Sequence, residues 1–185
     1  MLVIESVKRE SSNSRSTKII KDLLFSNNES TKVLLEKILK DTVQTHIVEQ
    51  DMIERKFIPK EARNFFDING TFLYRLSSIH YNGKVLSESV AFVDAALLHE
   101  SLTEKLEARN MFIENIIQRI QARRNILYQG YQPSGNILEL CNGFSLESNI
   151  FPTIKYQVVQ NSKCTFYICE VFHLDNIHSA VYGNL

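Results

Sequence analysis

A chain of 185 residues with 44% hydrophobic and 23% charged side chains has an ordinary globular composition, and its 21 basic and 21 acidic residues cancel to a net charge of zero. Lys and Arg are scattered rather than striped, so binding a nucleic acid by neutralising its phosphates has no electrostatic footprint. The longest apolar runs, Val90 to Val93 and Ala95 to Leu98, are far too short to span a bilayer.

The segment Met1 to Arg15 lacks the apolar centre of a secretory leader, and the acidic Glu5 and Glu10 oppose a transit peptide. Ser16 to Phe25 carries Ile19, Ile20, Leu23 and Leu24 at helical spacing. The polar break Asn27-Asn28-Glu29-Ser30 offers N-cap candidates for a second helix over Thr31 to Lys40, with Val33, Leu34, Leu35, Ile38 and Leu39 as its apolar positions. The β-branched run Thr42 to Glu49 predicts a strand, and a polar connection follows from Pro59. Thr71 to His80 and Lys84 to Val93 are strand-like runs flanking Asn82-Gly83, the dipeptide that supplies both positive-φ positions of a type I′ turn; this is a β-hairpin. Ser101-Leu102-Thr103-Glu104 has the form of a capping box opening a helix to about Arg109, and Ile113 to Arg123 predicts another with a core-facing isoleucine stripe. Asn125 to Tyr131 reads as a strand. Gln132 to Asn149, which holds Pro133, Gly135 and Gly143, reads as loop. Thr153 to Val159 and Cys164 to His173 close the chain as a second hairpin. Helices segregated from consecutive hairpins give one α+β domain with a single antiparallel sheet flanked by helices.

The cysteines Cys141, Cys164 and Cys169 show no paired metal-ligand spacing, and neither do the histidines; no metal is expected. Enrichment in Ile, Asn, Lys and Ser with little Gly and Pro hints at an A+T-rich genome such as a plastid's.

The period of two along a strand assigns faces. Phe166, Ile168, Glu170 and Phe172 share one, which puts a carboxyl in an apolar row, where ionisation is costly unless the group is paired. Leu73, Arg75, Ser77 and Ile79 share another. Counting back from the turn, Val90 falls opposite Arg75, and Glu88 lies diagonal to Arg75 on the same face. Two arrangements fit: an Arg75–Glu88 ion pair on a wet face with Glu170 at a sheet edge, or a cavity over the sheet where a buried arginine meets an anionic ligand and a carboxyl serves as acid or base.

From Ser30 to Leu174 the order of elements resembles the chorismate pyruvate-lyase family. The segments that carry the likeness are "STKVLLEKILKDTVQTHIVEQ", "IPKEARNFFDINGTFLYRLSSIHYNGKVLSESVAFV", "LEARNMFIENIIQRI" and "IKYQVVQNSKCTFYICEVFHL". The wording "LSESV" is similar to the cyanobacterial and plastid-encoded branch. The resemblance implies a cofactor-independent lyase that converts chorismate to 4-hydroxybenzoate and pyruvate for quinone head-group synthesis, in a plastid stroma or a bacterial cytoplasm, with no nucleic-acid partner. It makes Arg75 the carboxylate-binding arginine and Glu170 the catalytic carboxyl at the ring hydroxyl. It adds Glu88, the Met111 backbone and Ser30 or Thr31 on a helical flap as substrate contacts. The alternative is a non-catalytic domain of the same fold that binds a small aromatic carboxylate.

Overall fold

The computed structural model describes residues 2–26, 29–68, 70–120 and 122–183, with the backbone path alone for 2–13. Asn27 and Asn28, two of the N-cap candidates, lie outside the described residues. The chain runs α1 (Leu2–Ser26), α2 (Thr31–Leu39), β1 (Gln44–Ile53), α3 (Lys60–Arg63), β2 (Phe72–Tyr81), β3 (Lys84–Asp94), α4 (Glu100–Glu107), α5 (Ile113–Arg119), β4 (Arg123–Pro133), α6 (Ser134–Leu140), β5 (Ile150–Gln160), β6 (Lys163–Phe172) and α7 (Leu174–Tyr182). The strands form one antiparallel sheet in the order β1-β2-β3-β6-β5-β4, so the fold is α+β, as the sequence indicates.

Both sheet faces are covered. On one, Leu73, Ile79, Ala91, Ile154, Phe166, Ile168 and Phe172 pack under α1, α2, α4, α5 and α7 through Ile20, Leu24, Leu35, Leu106, Ile116 and Ile177. On the other, Phe72, Leu76, Val90, Tyr167, Cys169 and Val171 pack under α3, α6 and the segment that follows α6, through Ala62, Ile137, Leu140 and Phe144. Full burial of one such side chain contributes about 1.5–3 kcal/mol, so the two apolar layers carry most of the stability.

The structure departs from the sequence reading at several helices. Pro133 and Gly135 read as a loop, yet α6 begins there, because a proline is tolerated at a helix start, where its missing N–H has no partner to lose. The C-terminal α7 was not anticipated; Leu174 and Ile177, three apart, bury one short face. The helix starts two residues before the expected capping box: His99, not Ser101, is the N-cap of α4, and its ring accepts the Ser101 N–H at 3.3 Å.

The first hairpin turns at Asn82 (φ 48°) and Gly83 (φ 77°), the left-handed pair of a type I′ turn. Its pairing differs from the simple count. Tyr81 faces Lys84 and His80 faces Val85, but Ile79 faces Ser87, leaving Leu86 as a one-residue bulge on β3. Beyond the bulge Arg75 faces Ala91, not Val90, and Glu88 faces Ser78, not Ser77. A shift of one residue exchanges the faces of a strand, so Glu88 lies on the opposite side of the sheet from Arg75 and the inferred diagonal pair does not form.

Candidate functional site

Arg75, 1% exposed, stands on the helix-covered face in the middle of β2. Each of its nitrogens donates to the protein: Nε to Gln50 Oε1 at 2.6 Å, one terminal nitrogen to the Met111 carbonyl at 2.7 Å and the other to the Leu106 carbonyl at 2.8 Å. Gln50, on β1, also donates to the Leu106 and Glu107 carbonyls, so the pair ties the α4–α5 connection to the sheet. These carbonyls are the orphan acceptors at the C-terminal end of α4 and just beyond it, and a buried cation is the strongest donor available to them. Burial lowers the guanidinium to about 10, opposed by Glu114, so it stays charged at neutral pH.

Glu170, 5% exposed, stands two strands away on the same face, since Arg75 pairs with Ala91 and Glu170 with the adjacent Ser89. The Thr31 hydroxyl donates to its Oε1 at 2.8 Å. Thr31 opens α2, where Ser30 is the N-cap and accepts the Val33 N–H at 3.3 Å. Arg124, on β4, approaches Oε2 at 3.9 Å, beyond hydrogen-bond reach. Burial drives the Glu170 pKa above the ordinary carboxyl value; Arg124 and the Thr31 hydroxyl pull it back in part.

Glu170 also divides two spaces. Inside lies an enclosed cavity of about 20 Å³ lined by Arg75, Ser77, Ser87, Ser89, Tyr156 and Glu170, among others. That is room for a water molecule and no more. Outside lies an open groove of about 300 Å³ lined by Ser30, Thr31, Glu114, Arg124, Tyr156 and Glu170, with α5 residues beside them. Glu114, Tyr156 and Glu170 line both and form the partition, with Thr31 on its groove side, and of the two spaces the groove is the one that can hold a ring-sized molecule.

The structure thus brings together Arg75, Glu170, Thr31, Ser30 and Met111, the last through its carbonyl. It separates Glu88 from them. Glu88, 4% exposed, is on the far face, where its two oxygens accept the Ser145 N–H at 3.0 and 3.1 Å and Oε2 lies 2.9 Å from His173 Nε2. It pins the segment after α6 to the sheet and is not a contact in this groove. Sequence reasoning missed Gln50, Glu114, Arg124 and Tyr156. The alternation Ile154, Tyr156, Val158 on β5 was the available signal for Tyr156; Arg124 had only its place at the start of a strand.

Two further charged clusters lie away from this face. Lys155, buried, donates to both oxygens of Glu61 at 2.6 and 2.9 Å, and the Tyr167 hydroxyl donates to Glu61 Oε1 at 2.6 Å, which holds α3 on the sheet. The Tyr74 hydroxyl donates to Glu49 at 3.1 Å and meets Cys141 Sγ at 3.2 Å. The three cysteines are free and buried, and burial pushes the Cys164 and Cys169 thiols up to about 12, so they are inert. Among the described residues no His, Cys, Asp and Glu group could hold a metal, and no helix is long and apolar enough to cross a membrane.

No protein-family model matches the chain, and no curated protein matches it. Solved structures do. A possible transcriptional regulator, YydK, from Bacillus subtilis is 13% identical over 72% of this chain, at a TM-score of 0.46; the chain spans 59% of that protein's length. A GntR-family transcriptional regulator from Enterococcus faecalis is 13% identical, with 70% of this chain and 92% of that one covered and a TM-score of 0.49. The effector-binding domain of the B. subtilis trehalose repressor is 14% identical, with 71% and 91% covered and a TM-score of 0.46. These figures describe a similarity in the path of the chain.

Proposed function

We propose that the chain binds a small ring compound bearing a carboxylate in the groove between α2, α5 and the sheet, with Glu170 at its inner wall. The observation that carries this reading is the state of Glu170. A buried carboxyl in an apolar row is expensive, and here its single hydrogen bond comes from a hydroxyl on a nine-residue helix. Burial makes such a group hold a proton more tightly than an exposed carboxyl does, and a ligand hydroxyl or carbonyl beside it shifts that balance. A shift of Glu170, which lines both spaces, would join the small cavity to the groove and open the inner face to the ligand.

Turnover of chorismate to 4-hydroxybenzoate and pyruvate is the second reading, and the same carboxyl favours it. Breaking the ring C–O bond releases enolpyruvate as the ring loses a proton and becomes aromatic, and the proton ends on the pyruvate methyl group. Glu170, kept toward its neutral form, is a group able to pass that proton. Arg75 favours the binding reading instead. Three of its five N–H groups already donate to Gln50, Met111 and Leu106, which commits the side chain to the α4–α5 connection and leaves one N–H on each terminal nitrogen for any other partner.

Titration calorimetry with 4-hydroxybenzoate tests the first reading, and chromatography of a chorismate incubation without metals or nucleotides tests the second. Binding with no turnover supports a ligand-binding domain. Equimolar 4-hydroxybenzoate and pyruvate supports the lyase. Neither binding nor turnover would discard both.

A further inference from the structure

The guanidinium of Arg124 lies over the Tyr156 ring, 3.8 Å from its centroid. Among the described residues it donates no hydrogen bond, and its Nε is buried without a partner. An unpaired buried N–H costs on the order of 1–3 kcal/mol, so the arrangement persists only if packing enforces it or a ligand completes it. Stacking on an aromatic face fixes the plane of the fork and leaves its N–H groups pointing outward in that plane, the geometry that matches a planar anion.

The charges around the groove sharpen the point. Glu29 pairs with Lys37 at 2.5 Å on the rim. Glu114 acts on Arg75, offsetting the effect of burial on that guanidinium. Glu170 is nearest to Arg124, at 3.9 Å, but burial favours its neutral form. Among the described residues that line this groove, Arg124 is the one cation; it shares the lining with Glu114 and with Glu170, whose charged form burial disfavours.

We infer that Arg124, stacked on Tyr156, is the anion anchor of the groove and that the ligand is a planar monocarboxylate, held by its carboxylate on Arg124 with its far end toward Glu170 and Thr31. This rests on the binding reading above and reassigns the anchoring role from Arg75. Arg75 remains the clamp on the α4–α5 connection, and Glu114 stays with it. A dianion would meet Glu114, and among the described residues lining the groove there is no second cation to receive its other charge.

The test compares 4-hydroxybenzoate with its neutral amide, 4-hydroxybenzamide, by titration calorimetry on the intact chain, Arg124→Gln and Arg124→Lys. The wild type is expected to prefer the acid by at least tenfold. Arg124→Gln should bind the amide unchanged, which also shows that it folds, and lose the preference for the acid. Arg124→Lys should keep part of it, since the charge survives but the planar fork does not. An acid preference that persists in Arg124→Gln, or equal binding of acid and amide by the wild type, overturns the anchor while leaving a binding groove. A wild type that binds neither compound overturns the anchor and the binding reading together.

Discussion

The Thr31 hydroxyl donates to Glu170 Oε1 across 2.8 Å, joining the first turn of α2 to the centre of the sheet over a separation of 139 residues. Leu35 fixes α2 on the apolar layer, but this bond fixes its N-terminal end and holds Glu170, which lines both the small cavity and the groove. Thr31→Val keeps the shape and removes the donor. The chain should lose about 1–2 kcal/mol in denaturant unfolding, with faster amide exchange confined to the first turns of α2. Unchanged exchange there would mean that the apolar contacts alone hold the helix.

Glu170 makes stability depend on pH in a direction opposite to that of a paired carboxylate. Burial raises its folded pKa above the ordinary 4.5, so the folded chain binds the proton more tightly than the unfolded chain does. Its favourable contribution is complete below 4.5 and is lost as pH rises through the folded value. Glu170→Gln removes the ionisation and keeps an oxygen for Thr31. The variant should match the wild type near pH 4 and be the more stable of the two at pH 8, by urea unfolding at both values. A variant that is less stable at pH 8 would show that Arg124 keeps the carboxylate ionised.

Arg75→Ala should damage the fold itself. It strands the Met111 carbonyl and the Gln50 side-chain oxygen in a dry layer, and each buried polar group left unpaired costs about 1–3 kcal/mol. An arginine held for a ligand carboxylate alone, the role that the family resemblance gives Arg75, would be removable at little cost to the fold. Thermal unfolding of Arg75→Ala beside Arg124→Gln separates the two: a large drop is expected for the first and a small change for the second.

Glu88→Ala should release the segment between α6 and β5 without touching the groove. The Ser145 N–H loses both of its acceptors, and His173 loses the carboxylate beside its Nε2. A loss of about 2–4 kcal/mol is expected, with rapid exchange of the Ser145 amide and unaltered binding of 4-hydroxybenzoate. Weakened binding would restore Glu88 to the site.

Much of the fold was legible because it rests on local chemistry. Asn82-Gly83 demands one turn type, and the alternation along β6 places Glu170 among Phe166, Ile168 and Phe172 on the core face, where it stands. The site was legible only in part. Arg75 and Glu170 betray themselves as charges in apolar rows, and each strand carries that signal on its own. Arg124, Gln50 and Glu114 matter through neighbours remote in sequence, and no period in the chain announces those. Glu88 was misplaced because a bulge adds a residue without a mark in composition: Val85-Leu86-Ser87 reads as uninterrupted strand.

The bulge at Leu86 has a consequence for how the protein can vary. It acts as a phase shift, after which every side chain of β3 belongs to the layer opposite the one that counting from the turn would give it. Two acidic or basic groups meant for separate tasks can thus sit close in sequence and remain insulated by the thickness of the sheet, Glu88 serving the α6 side while Ser87 and Ser89 line the ligand side. Insertions or deletions of single residues between Asn82 and Glu88 are therefore transpositions of a whole half-strand between compartments, whereas substitutions there stay local. The length of that stretch is therefore a tighter constraint on this fold than the identity of its exposed residues, Lys84 among them.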